Sequence, residues 1–239
     1  MQLQEVSKNY DAASVWYDFA TELILHRLLG LKKQRRRTLE SLGNIQGFKV
    51  LDIGCGTGSN FPQLIEYMGP EGQIIGLDYS TGMLEKAERR ILRHGWQSRI
   101  SLIQGDAADL SRIPTSSIDA VTSVWCLGIV HDLESALEEI MRVLKPGGKV
   151  AIMDFRCVEP DSWLRWFSSI YKFLLLKTGI DSREDLDDAL LREKWNSGRS
   201  FLRRHLKRYH EESYLFGGIR ISGESAKPKK IRIRISTTG

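Results

Sequence analysis

An apolar run, FKVLDI at residues 48–53, leads directly into a glycine-rich segment, GCGTG at residues 54–58. Such a run is typical of a buried strand, and glycines at its end let the backbone approach a ligand closely. A helix that begins there would add backbone N–H groups and a positive dipole. The pattern is GxGxG, with Ser59 where the third glycine of a dinucleotide fingerprint would fall. These residues therefore predict a ligand crevice at the strand end, and NAD fits it poorly.

Comparable apolar runs recur downstream and alternate with segments of helical spacing. The predicted strands are Phe48–Ile53, Gln73–Leu77, Ile100–Ile103, Ile118–Val124 and Lys149–Asp154. Between them, apolar residues recur at intervals of three and four over 61–68, 83–91 and 133–143, which predicts helices. Ser80 or Thr81 can cap the second helix, and Lys145–Gly148 predicts a turn. This alternation predicts an α/β fold with a parallel sheet covered on both faces.

Three acidic residues lie at or just after the ends of the first three predicted strands. Asp52 comes just before the glycines, and its carboxylate suits an amine better than a pyrophosphate, which it would repel. Asp78 ends the second strand, where a carboxylate can accept both hydroxyls of a ribose; a helix N-cap is the alternative. Asp106 follows the third strand and can accept from an adenine amino group, with a turn aspartate as the alternative. Together they favour a nucleoside ligand that also carries an amine, as a methionine-bearing cofactor does.

Five segments resemble the successive motifs of the Rossmann-like S-adenosylmethionine-dependent methyltransferases: VLDIGCGTG (50–58), GLDYSTGMLEKA (76–87), QGDAADL (104–110), SIDAVTSVWCL (117–127) and ALEEIMRVLKPGGKVAIMDF (136–155). The resemblance implies a three-layer Rossmann-like sandwich with a mostly parallel seven-stranded sheet and N-terminal lid helices. It also implies S-adenosyl-L-methionine as the cofactor. The implied contacts are Asp52, Gly54, Cys55, Gly56 and Gly58 at the methionine end, Asp78 at the ribose, Tyr79 and Met83 at the adenine face, Gly105, Asp106 and Ala107 at the adenine edge, and Ser123 as a further contact.

Two groups near the N-terminus, Asn9-Tyr10-Asp11 and Trp16-Tyr17-Asp18, are similar to a paired Tyr-Asp motif. That motif occurs in the ubiquinone/menaquinone C-methyltransferases and in bacterial phospholipid and betaine-lipid N-methyltransferases, where the segment folds over the bound cofactor. The resemblance implies that Tyr10 contacts the cofactor and that Tyr17 acts at the reacting centre. Packing within an N-terminal helix is the alternative for both tyrosines.

The chain is expected to have four parts. Residues 1–45 form a helical lid, residues 46–155 the cofactor-binding core, residues 156–225 the acceptor-side and sheet-completing part, and residues 226–239 a basic tail that is either an edge strand or disordered. The third part is predicted to contain a helix over Asp161–Lys177, a charged helix over Arg183–Trp195 and a late strand over Leu215–Ser222.

Charge and aromatic residues bear on partners and location. Residues 190–239 carry a formal charge of +9 within a chain of +5, so this end can meet anionic lipid, nucleic acid or only water. Trp163 and Trp166 lie beside Arg and Lys, as on helices at a membrane surface; a core helix is the alternative. Three widely spaced cysteines without a CxxC argue against a disulfide framework or a zinc site. We expect a cytoplasmic protein, with membrane contact through the two tryptophans and the basic tail.

The acceptor is expected to be small or lipid-like. Our preferred interpretation is N-methylation of a lipid head-group amine, because aromatic faces at Tyr10, Tyr17 or Trp125 could stabilise a methylated ammonium. C-methylation of a prenylated quinone precursor is the alternative, and a cofactor-binding module without turnover is a third. His131, after the fourth strand, could take a proton or orient the acceptor, or be a loop histidine without a role. Nucleic acid is disfavoured, because base-modifying amine methyltransferases carry Asn/Asp-Pro-Pro-aromatic where this chain has Ser123–Cys126.

Overall fold

The computed structural model describes residues 31–155, 188–214 and 218–226. The described helices are α1 (Leu31–Glu40), α2 (Phe61–Met68), α3 (Thr81–His94), α4 (Leu133–Val143) and α5 (Asp188–His205). The described strands are β1 (Lys49–Ile53), β2 (Gln73–Asp78), β3 (Ile100–Gln104), β4 (Ile118–Val124), β5 (Leu144–Phe155), β6 (Leu206–Tyr214) and β7 (Gly218–Ser225).

The strands form one sheet of seven, in the order β3-β2-β1-β4-β5-β7-β6. Strands β1 to β5 are parallel, and β7 runs antiparallel between β5 and β6. The chain order reverses between β1 and β4, and α/β sheets bind ligands outside the carboxyl ends of the strands at such a switch point. This mostly parallel seven-stranded sheet confirms the predicted fold class.

Helices cover both faces of the sheet. Because successive strand residues point to opposite faces, Val50 packs in one buried cluster while Leu51 and Ile53 pack in the other. The first cluster includes Leu39, Phe61 and other residues of α1, α2 and α3. The second includes buried residues of α4 and α5. The result is the expected three-layer sandwich.

Local capping agrees with the helix starts predicted from sequence. Ser80 is the N-cap of α3, and its side chain accepts a hydrogen bond from the Met83 N–H at 3.2 Å. Asp132 caps α4 in the same way, accepting from the Ser135 N–H at 2.9 Å. These caps fix the loops after β2 and β4, both of which lie at the carboxyl edge of the sheet.

The C-terminal part differs from expectation. Strand β6 was not predicted, α5 runs to His205 rather than Trp195, and β7 lies three residues later than the predicted strand. Most of the β6 side chains are charged or polar, a composition that an edge strand tolerates but that hides the strand from a hydrophobicity argument. Strand β5 begins at Leu144, so the predicted Lys145–Gly148 turn falls within it, at an irregular register with β4.

Several predictions concern residues outside the described ranges. These are Tyr10 and Tyr17 of the N-terminal lid, the 161–177 segment with Trp163 and Trp166, and the basic tail from residue 227. Among the helices that are described, none combines the length and the apolar character that crossing a membrane requires.

Candidate active site

The glycine loop after β1 presents bare backbone at the switch point. Gly54, Gly56 and Gly58 have φ of +66°, +55° and +76°, in the left-handed region that favours glycine. A Cβ at Gly54 would lie 2.4 Å from the Cys126 sulfur, and one at Gly58 would lie 2.5 Å from the Phe61 ring. A Cβ at Gly56 would meet nothing within 4 Å. The loop is therefore packed at its two ends and open at Gly56, which suits a ligand that approaches the backbone.

Asp78 lies beside this opening. Its Oδ2 accepts the Gly56 N–H at 2.7 Å, and its Oδ1 accepts the Ser80 N–H at 2.9 Å. The sequence left helix capping open as the alternative role of Asp78, but the N-cap of α3 is Ser80. Each carboxylate oxygen can accept more than one hydrogen bond, so the half-buried Asp78 is suited to hold a diol next to the glycine loop.

Asp52 is fully buried at the end of β1 and contacts the start of α2. Its two oxygens accept from Asn60 Nδ2 at 2.9 and 3.2 Å. Burial raises the pKa of Asp52 to about 7; the Asn60 hydrogen bond and the positive charge of Arg35 lower it, and the negative charge of Asp78 raises it. In this structure Asp52 thus anchors the loop through Asn60, and its contact with a cofactor amine stays a prediction.

The expected adenine-side residues meet at the ends of β2 and β3. The Gly105 N–H donates to the Asp78 carbonyl at 3.1 Å. Asp106 Oδ1 accepts the Ala108 N–H at 2.9 Å, which is the turn that the sequence left as its alternative role. Ala107 and Met83 are buried, whereas Tyr79 is half-buried. The structure brings these residues to the edge where Asp78 lies, and their contacts with adenine stay predictions.

Two thiols pack around the glycine loop. Cys55 is buried, and its N–H donates to the Leu77 carbonyl at 3.0 Å. Cys126 fills the space beside Gly54. Burial raises the pKa of both thiols well above the usual range. Neutral thiols are poor nucleophiles, so these cysteines shape the loop rather than attack a substrate.

The loop after β4, residues 125–131, is held from two sides. Trp125 has φ of +59°, and its N–H donates to the Met153 carbonyl at 2.8 Å. The buried Asp154 accepts the Gly128 N–H at 2.8 Å. Lys194 Nζ donates to the Gly128 carbonyl at 2.9 Å and also to the Val130 carbonyl. The loop is thus held by two neighbouring residues of β5 and one residue of α5.

Two remaining candidates lie near that loop. Ser123, at the end of β4, is fully buried, and its hydroxyl has no hydrogen-bond partner among the described residues. His131 is exposed and lines a groove of about 730 Å³ between the start of α4 and α5. Residues of the glycine loop do not line this groove. The structure therefore brings Ser123, but not His131, to the strand end that neighbours Asp52.

Sequence reasoning missed Arg35, Asp154 and Lys194. Asp154 ends a predicted strand, as Asp52 and Asp78 do, and that position was a signal that could have singled it out. Lys194 and Arg35 each lie among several charged residues of a helix, and only packing distinguishes them from their solvated neighbours.

The sequence is similar to that of known methyltransferases. A family model described as a methyltransferase domain matches residues 50–148. The ubiquinone/menaquinone biosynthesis C-methyltransferase of Hahella chejuensis is 33% identical over 153 residues, 63% of this chain and 59% of that enzyme, so the match spans less than two thirds of its length. The demethylmenaquinone methyltransferase of Listeria welshimeri is 33% identical over 172 residues, 72% of this chain and 71% of the relative.

A solved structure supports the fold independently. The crystal structure of a SAM-dependent methyltransferase from Aquifex aeolicus matches with a TM-score of 0.54 at 17% identity, covering 95% of this chain and 100% of that one. At this identity the likeness concerns the fold alone. With the motifs, the sheet order and the Listeria relative taken together, the chain belongs to the Rossmann-like S-adenosylmethionine-dependent methyltransferases and, within them, resembles the C-methyltransferases of ubiquinone and menaquinone biosynthesis.

Proposed function

We propose that this protein transfers the methyl group of S-adenosylmethionine to a ring carbon of a quinol-type acceptor. The observation that carries the cofactor part is the Gly56 N–H bound to the Asp78 carboxylate at 2.7 Å, beside open space at the switch point. The acceptor part is supported by the names of the relatives at 33% identity, which concern ubiquinone and menaquinone precursors. Those names favour the quinone alternative over our initial preference for a head-group amine.

The geometry of the described residues supports the proposed cofactor site. The backbone of Gly54–Gly58 receives the methionine end, and Asp78 accepts the ribose hydroxyls. Asp106 and Ala107 border the adenine edge, and Tyr79 with Met83 borders its face. The proposal keeps the expected division of the chain, with residues 46–155 as the cofactor-binding core, residues 1–45 as a lid and residues 156–225 on the acceptor side.

S-adenosylmethionine supplies a methyl group on a positively charged sulfur. Its transfer is an in-line displacement, so the protein must align donor and acceptor and exclude water. The C–S bond breaks as the new C–C bond forms, and the acceptor loses one proton in all. The fixed loop at residues 125–131 sets the acceptor side of this alignment. Tyr17, outside the described residues, is the candidate side chain for handling the acceptor proton, whereas His131 lines a groove away from the glycine loop.

A methyl-transfer assay with a labelled cofactor tests the proposal. The acceptors are a short-chain demethylmenaquinone kept reduced to the quinol, and phosphatidylethanolamine vesicles. We expect label in the quinol, with the new methyl group on a ring carbon by mass spectrometry, and none in the lipid. Label only in the lipid would contradict the quinol acceptor. Binding of adenosylhomocysteine without transfer to any acceptor would favour the binding module.

A matched pair of variants links the activity to the proposed site. Asp78→Asn keeps the shape of the side chain but weakens acceptance from two hydroxyls, and we expect cofactor affinity to fall by at least about tenfold. Asp109→Asn is the control, because Asp109 is an exposed carboxylate whose hydrogen bonds come from the nearby Ser111. Equal affinities of the two variants would exclude Asp78 from the cofactor site.

A further inference from the structure

One member of the basic run at residues 32–37 differs from the others. Lys32, Lys33, Arg36 and Arg37 are exposed, whereas Arg35 is half-buried. The guanidinium carbon of Arg35 lies 5.0 Å from the centroid of the Trp125 ring. A guanidinium that stacks on an aromatic face can still direct its in-plane N–H groups at an anion.

The packing of α1 fixes where Arg35 lies. Leu39 is fully buried in the cluster beneath α1 and α2. Gln34, next to Arg35, accepts a hydrogen bond from Arg220 of β7 at 3.2 Å. Arg220 is 7% exposed and is paired with Glu212 of β6. The helix is therefore attached to the sheet at the residue that precedes Arg35, and Arg35 extends toward the loop after β4.

Arg35 also acts on the end of β1. Although burial raises the pKa of Asp52, the positive charge of Arg35 lowers it, so the two side chains are near enough to interact. Strands β1 and β4 are neighbours, with Ile53 opposite Ser123. Arg35 thus lies over the point where these two strands end, beside the glycine loop.

The methionine end of the cofactor carries two opposite charges, an ammonium and a carboxylate. The loop and Asp52 offer a place for the ammonium, but a carboxylate needs a cation or a set of strong donors. A guanidinium is well matched to a carboxylate, because two parallel N–H groups can meet its two oxygens. Among the described residues, Arg35 is the cation that acts on Asp52 and stacks at the end of β4.

We propose that Arg35 binds the carboxylate of the methionine moiety, with Trp125 as the surface on which its guanidinium rests. The inference rests on the proposed function, because it requires the methionine end of the cofactor to lie at Gly54–Gly58. It gives α1 a binding role that is distinct from the lid expected of residues 1–45. Arg220 and Gln34 then act as positioning residues for Arg35.

Calorimetric binding of two ligands tests this role without turnover. S-adenosylmethionine and decarboxylated S-adenosylmethionine share the nucleoside, the sulfonium and the amine, and they differ in the carboxylate. The proteins are the wild type, Arg35→Met and the control Arg36→Met, which removes one exposed charge from the same helix. We expect Arg35→Met to weaken the full cofactor by about 10- to 100-fold, as loss of a charged hydrogen bond does. Its affinity for the decarboxylated ligand should be unchanged, and Arg36→Met should resemble the wild type.

The outcomes separate the two proposals. Equal weakening of both ligands by Arg35→Met would mean a structural role and would overturn the inference. A wild type that binds the two ligands equally well would overturn it too, even if Arg35→Met failed to fold. A folded wild type that binds neither ligand would contradict the proposed function itself.

Discussion

Replacing Asp52 with asparagine should stabilise this protein at neutral pH. Burial raises the pKa of Asp52 to about 7 in the folded chain, against about 4 in the unfolded chain. The folded state therefore keeps its proton to a higher pH, and stability falls as pH rises from about 4 to about 7. The difference of about three pKa units corresponds to about 4 kcal/mol of the free energy of unfolding, and all of this is lost above pH 7. An uncharged asparagine side chain at this position avoids this cost.

The Asp52→Asn variant keeps the shorter of the two local hydrogen bonds. Its amide oxygen can accept from Asn60 Nδ2, as Asp52 Oδ1 does at 2.9 Å. Its amide nitrogen would take the place of Oδ2, so the longer hydrogen bond from Asn60 Nδ2, at 3.2 Å, is lost. The substitution therefore removes a buried charge at the cost of one long hydrogen bond.

Urea unfolding of both proteins across the range from about pH 4 to about pH 8 measures the effect. The variant should gain about 4 kcal/mol over the wild type by the upper end of the range and little at the lower end. Asp109→Asn is a control of opposite sign: hydrogen bonds from Ser111 lower the pKa of Asp109, so losing that carboxylate should destabilise the protein above pH 4. A difference between Asp52→Asn and the wild type that does not change with pH would refute the reasoning.

Two other substitutions test the loops at this edge. Gly54→Ala should lower the free energy of unfolding by at least about 2 kcal/mol, because residue 54 has positive φ and the new Cβ would clash with Cys126. The control is Gly47→Ala, at φ of +70° with nothing within 4 Å of the new Cβ, which should lower it by about 1 kcal/mol. Equal losses in denaturant unfolding would contradict the clash. Lys194→Met should destabilise the protein by about 1–3 kcal/mol, because it leaves the carbonyls of Gly128 and Val130 without their donor. Lys194→Arg should restore part of the lost stability. The control is Lys207→Met, which changes an exposed lysine and should cost little. If Lys194→Met is as stable as this control, the loop is held by other contacts.

The sheet core was predictable because its strands are buried on both faces. Strands β1 to β4 are short, mostly apolar runs, and the predicted bounds agree with the structure to within about one residue. Strand β6 gave no such signal. Its acidic residues instead pair with arginines, as Glu211 does with Arg199 at 2.6 Å, so its formation depends on partners that are distant in sequence or in a neighbouring helix.

The candidate site divides in the same way. The positions of Gly54–Gly58 and Asp78 were predictable, because the order of strands and helices in the sequence brings them to the strand ends. Arg35 was not, because a run of six residues with five cations is typical of a solvated helix face. Only the docking of α1 on β5 and β7 shows which of these cations lies inward.

Three features that disfavour folding coincide where β1 and β4 end. Asp52 is a buried acid whose ionisation costs free energy, Ser123 has a buried hydroxyl without a partner among the described residues, and Trp125 has φ of +59°. Positive φ alone does not mark a site, since Ser116 and Arg208 share it at a turn and at an irregular point of β6. A ligand ammonium beside Asp52 would lower the pKa of Asp52 and recover the free energy that its ionisation costs. The free energy that the fold loses there can thus be returned on binding, which favours the glycine loop as the ligand site on physical grounds alone.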